Sequence, residues 1–337
     1  MRRRAGISRQ KIGWLVQAVL LVGTPGVWAT GKQNDPLEAG RRAYEKSDYA
    51  KAVEELQAAA AREPENGEIE LLLTKSFLEL EKRDAAIASA ERAVEIDPQS
   101  SVYHEWLGKA YGEKASHASM FTAFSLARKT HREFETAVQL DPRNYSARQA
   151  LIEYYCSAPG IVGGGEDRAK PVIAQLESMD ASEWHYAKGN CRRQKNDFAE
   201  ADAEFQLALE SHPKSANLIY DIGDYAVKRS QADRLLKVAE EGERAAPGDP
   251  RGLFYRAVGL ILKNEKPEEA ERLLGEYVEK APKRTGYPRY AAAHDWLGHL
   301  YESRGEKERA EKEYEAALQL NAKDKSAKDA LKRLRSN

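Results

Sequence analysis

Cysteine and methionine are scarce in this chain: two and three residues in 337. Two cysteines do not make the disulfide framework on which small secreted domains rely. Cys156 and Cys191 both lie in apolar helical surroundings, where buried thiols are the expectation and a bridge between them the alternative. No excess of one charge is present either, since 53 basic residues face 54 acidic ones. A body without surplus positive charge lacks the footprint that neutralises phosphates, which argues against nucleic acid as a partner.

The signatures of catalysis are missing as well. The chain has no G-x-S-x-G elbow, no S-x-x-K in a suitable context and no H-E-x-x-H pair. Its seven histidines, at 104, 117, 131, 185, 212, 294 and 299, are scattered, and with two widely separated cysteines they form no zinc-ligand spacing. Neither an enzyme nor a metal or cofactor site is expected.

The one long apolar run is Ile12–Gly23, preceded by the unopposed basic residues Arg2, Arg3, Arg4, Arg9 and Lys11 and followed by Val27-Trp28-Ala29. A charged region, an apolar stretch and a small-residue cleavage site describe an export signal over residues 1–29. The run is shorter than the ~20 residues a membrane span needs, so retention as an N-terminal anchor is the lesser alternative. Removal of residues 1–29 leaves 48 basic against 54 acidic residues, a charge of −6 and no integral membrane span. Residues 30–35 read as a short linker, and the expected destination is the periplasm of a Gram-negative bacterium.

From there the sequence is periodic. Proline ends a helix at Glu63-Pro64, Asp97-Pro98, Asp141-Pro142, His212-Pro213, Ala246-Pro247 and Ala281-Pro282, with steps of 34 residues from Pro64 to Pro98 and from Pro213 to Pro247. Alanine recurs twelve residues before the proline (Ala52, Ala86, Ala201, Ala270) and five before it (Ala59, Ala93, Ala137, Ala208). Small residues at fixed places let two antiparallel helices approach, while Leu56, Phe134, Phe205 and Leu274 fill the space beside the contact. The pattern predicts a repeated helical hairpin.

This unit resembles the tetratricopeptide repeat (TPR) family. Its best match is Trp296, Leu297, Gly298, Tyr301, Gly305, Ala310, Tyr314 and Ala317, and Trp106-Leu107-Gly108 with Tyr111 repeats the opening. Eight units begin near 33, 67, 101, 145, 182, 216, 251 and 291. The resemblance implies an all-α solenoid over 36–324, a right-handed superhelix of about one turn, closed by a capping helix at 325–337. Two inserts interrupt it. One, around Ser116–His131, carries the apolar run Met120, Phe121, Phe124 and Leu126, expected as an extra turn packed on the neighbouring repeat; the alternative is a lip facing a partner or a membrane surface. The other, around Ala158–Gly165, holds A-P-G-I-V-G-G-G and is expected to be a structural loop with glycines at positive φ. The pair of inserts is similar to those of a group of exported bacterial tetratricopeptide proteins.

What the resemblance implies for function is a concave groove that binds an extended or helical segment of another protein. An accessory role in a cell-envelope assembly or export machine, docking through the convex face and the first insert, is the alternative. At the groove-facing offsets stand Trp106, Lys109, Tyr186, Asn190, Arg193, Tyr220, Asp224, Tyr255, Arg256, Trp296 and His299. Aromatic and arginine side chains of this kind dominate binding hot spots. The three tyrosines, which share one offset, are expected to be exposed in the groove, while the two tryptophans either line it or pack between repeats. The Lys and Asn pattern with which family members clamp a terminal carboxylate is not reproduced, because Asn190 fits one place but Asp224 stands where the next Asn belongs.

Overall fold

The computed structural model describes residues 35–336. The expected export signal and most of the linker lie outside the described residues. Seventeen α-helices and one short 3₁₀ turn are present, with no strand among the described residues. Eight hairpins follow one another: α1 (Pro36–Glu45) with α2 (Tyr49–Arg62), α3 (Gly67–Glu79) with α4 (Arg83–Ile96), α5 (Ser101–Ala115) with α6 (Met120–Leu140), and α7 (Tyr145–Ser157) with α8 (Glu166–Glu177). The second half repeats the plan: α9 (Ala181–Gln194) with α10 (Phe198–Glu210), α11 (Ala216–Lys228) with α12 (Ala232–Ala245), α13 (Arg251–Lys263) with α14 (Pro267–Lys280), and α15 (Tyr290–Ser303) with α16 (Lys307–Leu320). A last helix, α17 (Lys325–Ser336), follows.

Local chemistry sets the hairpin boundaries. Two residues after a helix-ending proline stands a capping side chain: Asn66, Ser100, Asn144 and Ser215 each accept a backbone N–H from the first turn of the helix that follows. Such caps satisfy donors that have no partner inside the helix. Within a hairpin, glycine on the first helix receives an aromatic ring from the second. A Cβ at Gly108 would meet Phe134 at 2.6 Å, one at Gly189 would meet Phe205 at 2.6 Å, and one at Gly298 would meet Tyr314 at 2.5 Å. These first-helix glycines are therefore packing devices, and Ala52, Ala86, Ala201 and Ala270 of the second helices lie fully buried.

Successive first helices touch at α1–α3, α3–α5, α5–α7, α7–α9, α11–α13 and α13–α15. Close approach along that row puts the first helices on the inside of the curve. The curl carries the chain back to its beginning. In the loop between α14 and α15, the Thr285 backbone N–H and hydroxyl donate to the Glu79 carboxylate at 3.0 and 3.1 Å, and the Tyr49 hydroxyl donates to the Lys283 carbonyl at 3.1 Å.

The two inserts meet. The first lengthens α6 to 21 residues, and the second forms the 3₁₀ turn Gly160–Val162 beside it. Gly163 (φ +102°) and Gly165 (φ +132°) occupy the left-handed region as expected, and a Cβ on Gly163 would press on the His131 ring at 2.9 Å. Leu126, Thr130 and Glu133 of α6 are buried, so the insert packs from its second turn onward. The packing expectation fails for the first turn, where Met120 (69% exposed), Phe121 (88%) and Phe124 stand in solvent. The helix overshoots the hairpin it belongs to, leaving those side chains no neighbour to cover them.

The cysteine expectation is also corrected. Cys156 on α7 and Cys191 on α9 form a disulfide with Cα atoms 5.3 Å apart, leaving no free thiol among the described residues. At the C-terminal end α17 buries Ala327, Ala330 and Leu331 and pairs Arg333 with Glu302 of α15 at 2.8 Å.

Candidate functional site

The concave face is lined by side chains from α3, α5, α7, α9, α11 and α15, and it divides by charge. In its N-terminal part the Trp106 indole lies between the ammonium groups of Lys75 and Lys109, 4.8 and 4.7 Å from the ring centre. Lys109 is also held by Glu105 at 2.5 Å, and Glu105 accepts from Ser146 and Asn144 of the next hairpin. Burial together with the nearby Lys109 charge lowers the Lys75 pKa.

The central part is acidic. Tyr186 and Arg193 of α9 both donate to Asp221 of α11 at 2.9 Å, and Tyr255 of α13 donates to Asp224 at 2.7 Å. Glu153 of α7 and Asp224 are exposed to water, yet desolvation by the surrounding walls raises both carboxyl pKa values. Glu183, at the start of α9, is buried and accepts from the Gln149 amide at 2.7 Å. Desolvation pushes its pKa up to about 7, the Gln149 hydrogen bond opposing and Asp180 adding to the rise.

A raised carboxyl pKa means the folded state holds a proton that the unfolded chain releases near pH 4, so stability is present at low pH and declines as pH rises toward 7. Replacement of Glu183 by Gln removes the titrating group while preserving the amide contact. The unfolding free energy of the wild type, from urea titrations, is therefore expected to fall relative to Glu183→Gln as pH rises from about 4.5, by up to roughly 3 kcal/mol at pH 8. Parallel pH profiles for the two proteins would refute a buried, proton-binding Glu183.

The structure brings Asn190, Arg193 and Asp224 near the Tyr186 hydroxyl, and Trp106 beside Lys109. Five of the residues expected to line the groove are placed otherwise. Tyr220 and Tyr255 are 2% and 1% exposed. Their rings stack at 5.4 Å, and Arg251 covers the outer face of Tyr220 at 4.4 Å, because each following first helix leans onto the ring before it. Tyr186 is likewise buried, packing against Phe205 with only its hydroxyl serving the groove. Arg256 points away from the concave face and pairs with Glu269 of α14 at 2.6 Å. His299 joins the Tyr314 hydroxyl to Ser326 of α17, making it a strut of the capping helix, with Trp296 half-buried beside it. Sequence reasoning missed Glu153, although it stands eight residues into its unit as Lys109, Asn190, Asp224 and His299 do, and Asp221, which stands five in as Trp106, Arg256 and Trp296 do; Arg251, the first residue of its unit, follows neither offset, and only contacts across hairpins single it out.

Fold and face together define a helical-repeat scaffold. Tetratricopeptide repeat profiles match residues 43–110 and 261–325, so the chain carries tetratricopeptide repeats at both ends of the solenoid. No curated protein matches the chain. Among solved structures it is similar to a thermophilic TPR protein in Thermus thermophilus, at 21% identity over 56% of this chain and 94% of that one, with a TM-score of 0.45. A tetratricopeptide repeat protein from Parabacteroides merdae matches at 16% identity over 90% of this chain and 98% of that one, TM-score 0.39. A chain of the APC/C hetero-tetramer Cut9-Hcn1 matches at 13% identity over 89% of this chain and 55% of that one, TM-score 0.49.

Proposed function

We propose that this protein is an exported scaffold, working in the periplasm, that holds an extended or helical segment of another polypeptide in its concave groove and performs no chemistry on it. The observation that carries the reading is the groove wall itself. Charged groups at Lys75, Lys109, Glu153 and Asp224 are presented toward the inside of the curve, while the apolar rings at the same level are spent on packing. Polar groups on a rigid repeat framework supply specificity by position, since the framework needs no ordering on binding. The Cys156–Cys191 bridge supports an oxidising destination, which agrees with the signal read in residues 1–29. No described helix is long and apolar enough to cross a membrane.

The exposed Met120, Phe121 and Phe124 favour a second reading, in which the protein docks to an envelope assembly or export machine through its insert. Photo-cross-linking separates the two. A benzophenone side chain at position 153, in the groove, is expected to capture a discrete polypeptide in the native envelope, and the same probe at position 121 is not. Capture at 121 with none at 153 would replace the groove model by the docking model.

A further inference from the structure

The acidic stretch of the groove is short of positive charge. Glu153, Asp221 and Asp224 come from α7 and α11 and act on one another electrostatically, with Arg193 and Lys228 the cations that bear on them. Arg193 is already committed to Asp221 at 2.9 Å. Three carboxylates against two cations leave one negative charge uncompensated, and desolvation by the groove walls makes Glu153 and Asp224 hold their protons more tightly.

An independent observation lies within the same cluster. Asn190 is 3% exposed, its amide lies beside the Tyr186 hydroxyl, and its carbonyl oxygen Oδ1 accepts no hydrogen bond. A buried acceptor without a donor is costly, so it marks a place where a donor is missing. On α9 it sits between Tyr186 and Arg193, one turn from each, and both of those side chains reach Asp221. The unused acceptor and the surplus carboxylate therefore ask for the same thing: a group that carries positive charge and donates hydrogen bonds.

We infer that the central groove, between α7, α9 and α11, is a seat for a lysine or arginine side chain of the bound segment. Asn190 Oδ1 and the carboxylates of Asp221, Asp224 and Glu153 take the place of water around the ammonium or guanidinium. This rests on the groove reading above and adds to it the sign of the partner. A terminal carboxylate is the wrong charge for this position, since Asp224 stands on the wall that would have to receive it.

The test uses two fluorescent twelve-residue peptides that differ only in charge, four Gly-Ser-Lys triplets and four Gly-Ser-Glu triplets, titrated against the purified protein at low salt by anisotropy. The lysine peptide is expected to bind at least tenfold more tightly. Asp221→Asn with Asp224→Asn should weaken it about tenfold, and Glu153→Gln, which breaks no hydrogen bond seen in the structure, should weaken it severalfold without changing the circular dichroism. Exposed acids elsewhere, Glu200→Gln with Glu268→Gln, should leave the affinity unchanged. Equal binding of both peptides, or equal loss from the remote and the groove variants, overturns the cationic seat. Should position 153 still capture a polypeptide in the envelope after such a result, the groove model stands and only its charge preference falls.

Discussion

Replacing Tyr255 by alanine is expected to lower stability by about 3–5 kcal/mol, the cost of emptying a buried aromatic site. The ring is 1% exposed, stacks on Tyr220 at 5.4 Å and meets Phe254 edge-on at 5.4 Å. Its edge also fills the space at Gly223, where an added Cβ would lie 2.7 Å from Tyr255 Cε1. Because stacked repeats are stabilised by their neighbours, the loss should spread to the hairpins on either side. Tyr255→Phe isolates the hydroxyl. It gives up one hydrogen bond to a water-exposed Asp224 and is expected to cost only about 1 kcal/mol. Urea denaturation followed by circular dichroism measures both, and a midpoint for Tyr255→Ala close to that of the wild type would show that the ring belongs to the groove after all.

The second large effect is expected from the disulfide. Cys156 and Cys191 are 35 residues apart in sequence. In the chain-entropy picture, cross-linking a loop of that length stabilises the folded state by about 4 kcal/mol, chiefly by restricting the unfolded chain. The bond ties α7 directly to α9 across the hairpin that carries the glycine-rich loop, so its loss should be felt there first. Backbone amides of α7 to α9 are expected to exchange much faster in the Cys156→Ser, Cys191→Ser double variant or after reduction, while those of α13 to α16 change little. Uniform exchange rates across the oxidised and reduced proteins would remove the bond from the account of stability. The same measurement reports on the groove, because Glu153, Asn190 and Arg193 all lie within one turn of a bridged cysteine.

The amino-acid sequence by itself determined the helical hairpin, its period and its ends. Those features depend on neighbours a few residues away: proline stopping a helix, Asn or Ser capping the next, alanine and glycine admitting Phe134, Phe205 and Tyr314. The eight units, the positive-φ glycines of the second insert and the capping helix follow from the same short-range rules. Only the tertiary structure decided which side of each ring faces water. Tyr186, Tyr220 and Tyr255 share one offset, yet Tyr186 packs on Phe205 of its own hairpin, Tyr220 is covered by Tyr255 and Arg251 of the following hairpin, and Tyr255 lies on Tyr220 and Gly223 of the preceding one. The cysteine pairing, the contact of Thr285 with Glu79 and the convergence of Glu153, Asn190 and Asp221 have the same origin. Each depends on the angle between successive hairpins, a small rotation summed over many repeats, which no local pattern of residues specifies.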